Sequence, residues 1–418
     1  MKTVKRYISI QRCNGGYTAR RDTKTPLQQP GTFALTMKSI DRVDKTGILV
    51  RKRRKKMRKL GLQELKDIMT GCAIMGTGGG GSLAEGMGAV EREWNKGHEF
   101  KLLDFDEIED DSYYASPYYC GCMVPEEQEV EEDLFDGSDI ALSVEALENY
   151  METNFHGLVS IEYGAGNTGE VMAMAAKTGK FIVDADAAGR AVPELQFSTY
   201  YVTGQPITPL AVGTIYGDIA VIPVVKEDAR AEALTRFMAV ATNGAVGMTD
   251  HPIKGRELRK SVIPGALSKA LMVGQARRTA EESGENPIEA ILKAAGGKLL
   301  FTGRASAQTD WENRDGFTFG NIWLDGTGAD AGSSARVWYK NENMMMWVDG
   351  KLRLTCPDLI CVLEQKTGMP VTNPNCKEGM ELCVLGLPCH ELWKTEKALE
   401  ILNPRFFGFD EDCVFLER

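Results

Sequence analysis

Apolar residues recur at helical spacing over residues 60–75 (Leu62, Leu65, Ile68, Met69, Cys72), and Gly76 supplies a stop. The run Gly76-Thr77-Gly78-Gly79-Gly80-Gly81-Ser82 follows, and a second helix is predicted over 83–96. Short apolar runs read as strands at 100–103, 118–124, 157–161 and 181–183, with helices from about residue 144 and over 170–178. Helices alternating with short, continuously apolar strands predict an α/β sheet covered on both faces. Helical spacing returns over 227–240 and 255–283. Past Gly296 the pattern becomes short alternating runs broken by glycines, with Asp349-Gly350 a hairpin signal between MMMWV and KLRLT. The expected fold class is an α/β N-terminal domain, 57–226, followed by an α+β C-terminal domain, 227–418. In the second domain, helices precede a largely antiparallel β-sheet or sandwich.

Charge separates a front piece from this body. Residues 1–56 hold 16 basic and 3 acidic side chains, +13, whereas the whole chain of 418 residues carries −10, which leaves −23 on the remainder. An acidic body argues against a nucleic-acid binder whose basic charge covers the folded surface. The front piece lacks amphipathic period and ends in six consecutive basic residues, 51–56, so a solvated, disordered extension is expected, with a nucleic-acid arm as the sharper alternative. Met57 opens the first amphipathic helix and is a candidate start of the folded chain, the front piece then being a leader or a start-site artefact. Residues 104–148 hold 16 Asp/Glu and no Lys or Arg, and within them the segment VPEEQEVEEDLFDGSD reads as a solvated loop between the strand at 118–124 and the helix from about residue 144. No apolar run is long enough to span a bilayer, and the N-terminus lacks the apolar stretch of a secretory signal. The ten cysteines show no C-x-x-C spacing; buried free thiols in a reducing cytoplasm are expected.

Three stretches carry candidate chemistry. Gly79, Gly80, Gly81 and Ser82 precede a helix N-terminus, where glycines permit close backbone approach and free N–H groups meet an anion or polar ring; a tight helix–helix turn is the competing reading. Glu162-Tyr163-Gly164-Ala165-Gly166-Asn167 sits at the carboxyl end of a predicted strand, where α/β sheets bind ligands, although an ordinary strand-to-helix turn explains it equally. Asp184, Asp186, Arg190, Glu194 and Gln196 crowd one 13-residue stretch. Such acids can activate water or hold a divalent cation (candidate ligands Asp184, Asp186 and Glu194), or they can form a salt-bridged loop. The four histidines are scattered, His251 being the best placed. Asn341-Glu342-Asn343 and Cys356-Pro357-Asp358 precede strands of the second half.

The motifs GTGGGGS, EYGAGN, DADAAGRAVPELQ, KNEN, PDLI and NPRFFGFD together resemble the S-methyl-thiohydantoin desulfurase (S-Me-THD) family, from Met57 to the C-terminus. The chain departs from that pattern at Gly164-Ala165-Gly166, where the family usually has paired glycines. It departs again at Cys122-Met123-Val124-Pro125, and the front piece lies outside the pattern. The resemblance implies a hydrolase that removes a sulfur substituent from C2 of a thiohydantoin-like cyclic amide. It also implies a setting beside hydantoinase or oxoprolinase subunits, so a non-catalytic, ligand-binding partner subunit is the alternative. Residue chemistry then suggests Asp184 and Asp186 as water-activating carboxylates, Glu194 as their neighbour, and Arg190 as a clamp on the substrate or transition state. Gly79 to Ser82, Glu162, Asn167, Gln196 and Asn341 would hold the ring. A cytoplasmic homo-oligomer with a divalent cation as candidate cofactor completes the expectation.

Overall fold

The computed structural model describes residues 58–121, 138–242 and 244–417. The basic front piece, Met57 and the acidic residues 122–137 lie outside them, so the expectations for those segments are not addressed by the fold. The expected strand and helix on either side of that acidic segment are present, the strand running from Tyr113 to Gly121 and the helix beginning at Asp139, five residues earlier than expected.

The first layer is a mixed nine-stranded sheet. Its members in chain order are β1 (Arg58–Lys59), β2 (Lys101–Leu103), β3 (Tyr113–Gly121), β4 (Gly157–Ser160), β5 (Phe181–Asp186), β6 (Leu210–Gly213), β7 (Ile219–Ile222), β8 (Ala245–Lys254) and β9 (Ile263–Pro264). The spatial order is β1-β2-β5-β4-β3-β8-β6-β7, with β9 beside β5. The central strands β2, β5, β4 and β3 run parallel, and the outer pairings are antiparallel. Both faces carry helices: α1 (Leu62–Met75), α2 (Leu83–Asn95), α3 (Asp139–Met151), α4 (Ala165–Thr178), α5 (Thr199–Thr203), α6 (Asp228–Ala241), α7 (Gly255–Ser261) and α8 (Ala266–Ser283). Strands β4 and β5 are accordingly apolar and almost wholly buried, as a parallel strand covered on both sides must be. The predicted helix over 255–283 is broken by β9, because Pro264-Gly265 ends one helix and starts another beside β5.

After α9 (Pro287–Ala295) the chain builds an eight-stranded, all-antiparallel sheet. It comprises β10 (Lys298–Ala305), β11 (Asp310–Arg314), β12 (Phe317–Gly326), β13 (Ser334–Lys340), β14 (Glu342–Val348), β15 (Lys351–Thr355), β16 (Leu359–Glu364) and β17 (Glu381–Leu387), and a short α10 (Glu396–Ile401) follows. Asp349 and Gly350 both take positive φ, 49° and 74°, which is the two-residue turn the Asp-Gly pair predicts. The first sheet takes β8 and β9 from beyond residue 226, so the two sheets divide the chain near α9. One hydrophobic core runs from α1 (Met69, Cys72) into β14 and β16 (Met344, Met345, Cys361), so the two layers pack as one body. Among the described residues eight cysteines are free and seven of these are buried, and no helix is long and apolar enough to cross a membrane.

Candidate functional site

The glycine-rich segment between α1 and α2 is where the two sheets meet. Thr77 O accepts from Asn343 N at 2.8 Å, and Gly78 O accepts from Asn373 N at 2.8 Å, both donors belonging to the second layer. On its other side Gly80 O accepts from Asn167 N at 3.1 Å, at the start of α4. A Cβ on Gly80 would lie 2.3 Å from Gly164 Cα, and one on Gly79 would lie 2.0 Å from Glu342 Oε1. Glycine is therefore required here by contact: backbone lies on backbone at Gly80, and a carboxyl group lies on backbone at Gly79. Ser82 caps α2, accepting from Ala84 N at 3.1 Å, while Glu85 returns to Ser82 N in a capping box.

Glu162 stands two residues past the end of β4, and α4 begins at Ala165, five residues earlier than the sequence pattern predicts. Glu162 Oε1 accepts from Asn167 Nδ2 at 2.8 Å, and Oε2 accepts from Val192 N at 2.8 Å. Asn167 is fixed in turn, its Oδ1 accepting from Tyr119 N at 2.9 Å. Burial outweighs these bonds and pushes the Glu162 carboxyl up to about 7. Glu342, the first residue of β14, is buried as deeply. Burial first, and then the charge of Glu162, hold it well above the ordinary carboxylate range, while Arg190 pulls the other way. Its Oε2 has no hydrogen-bond partner. Both oxygens of Glu162 accept N–H groups whereas Glu342 Oε2 accepts none, so Glu162 is the more readily ionised member of the pair. The charge of one buried carboxylate opposes ionisation of the other, so the group with fewer donors is raised further.

Asp186, at the end of β5, lies in the same field. It is fully buried, and its Oδ1 accepts from Gly189 N at 2.9 Å. Burial, with a further push from Glu162, holds it well above the ordinary range against the pull of Lys269 on α8. Burial lowers the Lys269 ammonium, which Asp186 and Cys361 partly offset.

The remaining predicted residues are spoken for within the protein. Arg190 is fully buried and uses every N–H it has. Nε donates to Ala191 O, Nη1 to Pro357 O and Asp358 O, and Nη2 to Thr77 Oγ1 and Asn343 O at 2.8 Å. It is a rivet between the DADAAGR stretch and the second sheet, with no donor left for a substrate carboxylate. Asp184 accepts from Ser268 N at 2.9 Å and Ser268 Oγ at 2.5 Å, which ties β5 to the first turn of α8. Glu194 pairs with Lys340 and accepts from Gln196 Nε2 at 2.6 Å, and Gln196 Oε1 is buried without a partner. Asn341 takes positive φ, 54°, and accepts from Thr318 N at 2.8 Å, turning β13 into β14 so that Glu342 points inward. Asp184, Asp186 and Glu194 thus occupy three separate hydrogen-bond systems. Among the described residues no three His, Cys, Asp or Glu side chains converge as metal ligands.

Gly79, Glu162, Asn167 and Asp186 are brought together, and the residues that complete the set are Glu342, Asn343 and Asn373. Glu342 stands inside the KNEN motif and carried a signal in its polar neighbours ahead of an apolar strand. Asn373 carried none, because its role depends on a chain reversal that brings Thr372-Asn373-Pro374 back against Gly78.

His251 forms a separate polar cluster. Its φ is 44° in a bulge of β8, its Nδ1 meets Asp250 Oδ1 at 2.9 Å, and Tyr200 stacks on the ring at 4.3 Å. Tyr118 donates to the other Asp250 oxygen at 2.6 Å.

The domain models described as S-Me-THD-like, N-terminal domain, and S-Me-THD-like, C-terminal domain, match residues 63–224 and 226–416. The chain belongs to the S-Me-THD-like family. No curated protein matches it. A protein of Chromobacterium violaceum solved by X-ray crystallography is similar in structure, with a TM-score of 0.71 and 22% identity over 85% of this chain and 99% of that one. At that identity the likeness is one of fold.

Proposed function

We propose that the chain is a hydrolase of S-substituted thiohydantoin-like rings, with Glu162 as base and Glu342 as acid. The observation that carries the reading is the pair of buried carboxyl groups at the glycine loop, Glu162 holding two N–H donors and Glu342 keeping an oxygen without a partner, so that the first ionises more readily than the second. The family supplies the ring chemistry. Glu162 takes a proton from water as its oxygen attacks ring C2, and Glu342 protonates the ring nitrogen next to that carbon. As the tetrahedral adduct collapses, the C2–S bond breaks and C2=O forms. The hydroxyl proton leaves with the thiol, and the proton on Glu162 restores the acid at Glu342. One water is consumed, with one of its protons ending on nitrogen and one on sulfur. Gly79 lets Glu342 approach the loop backbone, and Asn167 with Val192 N keeps Glu162 aimed. Asp186, held on the Gly189 N–H and raised by burial, is a positioning neighbour of Glu162 and takes no proton in the cycle.

The test is thiol release from 2-(methylthio)-imidazolone rings by wild type, Glu162→Gln and Glu342→Gln, with and without added divalent metal. Turnover in wild type and a loss of at least about 100-fold in each variant is expected. Wild-type rates in both variants would sink the assignment. Binding of rings without turnover by the wild type would favour the non-catalytic subunit.

A further inference from the structure

Two buried oxygens on the second layer have no hydrogen-bond partner, and the side chains that carry them pack on neighbouring glycines of the loop, Asn373 on Gly78 and Glu342 on Gly79. The two oxygens are Glu342 Oε2 and Asn373 Oδ1. A Cβ on Gly78 would lie 2.7 Å from Asn373 Nδ2, as one on Gly79 would lie 2.0 Å from Glu342 Oε1. Asn373 is completely buried, and a buried amide oxygen left unpaired forfeits the hydrogen bonds it made to water in the unfolded chain. Its amide orientation is fixed from the other side. Nδ2 donates to Asn341 O at 2.7 Å and to Asn343 Oδ1 at 3.1 Å, and Asn343 is itself pinned because its Nδ2 donates to Ile360 O at 3.0 Å. Flipping Asn373 would set its oxygen against two acceptors, so Oδ1 is a true acceptor directed away from the network. The backbone N–H of the same residue holds Gly78 O at 2.8 Å, which locks this acceptor to the glycine loop.

We infer that Asn373 is a specificity-determining residue that accepts one ring N–H of the ligand, beside the acid of Glu342. The pair then reads adjacent positions of a planar amide or ureide: an N–H at Asn373, and a nitrogen or oxygen acceptor at Glu342. The ligand class is a ring whose nitrogen on the Asn373 side is unsubstituted. This rests on the ring reading proposed above and adds to it a residue outside the carboxyl pair.

A substitution on the ligand leaves the protein intact and therefore tests the point directly. Calorimetric binding of hydantoin, 1-methylhydantoin and 3-methylhydantoin to the full chain should show one methylated isomer weakened by about 10- to 100-fold relative to hydantoin. The same ratio measured in Asn373→Ala should collapse toward one, whereas a structural role alone would weaken all three rings alike and keep the ratio. Equal binding of all three rings to the wild type overturns the assignment of Asn373 and leaves the ring reading standing. If none of the three binds and no thiol is released from the methylthio ring, the ring reading itself fails and the assignment of Asn373 with it.

Discussion

Replacing Glu162 by Gln tests the buried carboxyl without any knowledge of the substrate. Burial raises its folded-state value from 4.5 to about 7. Between those two values the unfolded chain has released the proton and the folded chain still holds it, so the folded state binds more protons. Stability therefore falls as pH rises through this window. A difference of about 2.5 units corresponds to about 3 kcal/mol at 1.36 kcal/mol per unit, an upper bound because Glu342 shares the titration. Gln cannot titrate, and it also presents N–H to one of the two donors that Glu162 now accepts. That mismatch is a constant cost of about 1–3 kcal/mol at every pH. The slope, not the offset, is the readout. Urea unfolding at intervals from pH 4.5 to 8 should give a wild-type stability that drops by up to about 3 kcal/mol relative to the variant. Parallel curves for the two proteins over that range would refute the buried, perturbed carboxyl.

The glycines of the loop should separate by what they touch. Gly80→Ala forces a Cβ onto the Gly164 backbone at a φ of 76°, and loss of the cooperative thermal transition is expected. Gly79→Ala drives a Cβ onto the buried Glu342 side chain from Cγ to Oε1 and not onto backbone, so a cooperative thermal transition should survive at a lower Tm than wild type while thiol release is lost. Arg190→Lys keeps the charge but cannot reach five acceptors in one plane; a loss of at least about 3 kcal/mol by urea unfolding is expected, with Arg190→Met no better. Asp184→Ala removes two bonds to Ser268 and should cost about 1–2 kcal/mol of stability while keeping most of the turnover measured at saturating substrate. Loss of turnover at unchanged stability would instead return Asp184 to the chemistry.

Why part of this site was legible in the sequence, and part was not, follows from which forces act locally. The alternation of α1 to β5 and the Asp-Gly hairpin are written in neighbouring residues, so the α/β layer and the antiparallel layer could be read directly. The glycine run and the glutamate after β4 were visible too, because glycines that permit contact and a carboxylate at a strand end are local facts. What composition cannot state is who satisfies whom. Asp184, Asp186, Arg190 and Glu194 form one dense stretch on paper. In the fold, one caps a helix, one sits on backbone amides, one spends three of its five donors on carbonyls of the second layer some 150 or more residues away in sequence, and one pairs with Lys340. Density of charge was therefore a signal of joining, since a buried Arg that holds carbonyls of the second layer makes the first layer's loop rigid. That rigidity is what a carboxyl pair needs. Asn343 O is held by Arg190 while its N holds Thr77, so the residue after Glu342 is anchored from both sides. A glutamate left free to move would drift toward water; one held between Gly79 and an anchored strand stays buried, and burial disfavours its ionised form. The arginine that looked like a catalyst thus acts one step removed, by fixing the strand on which the acid stands.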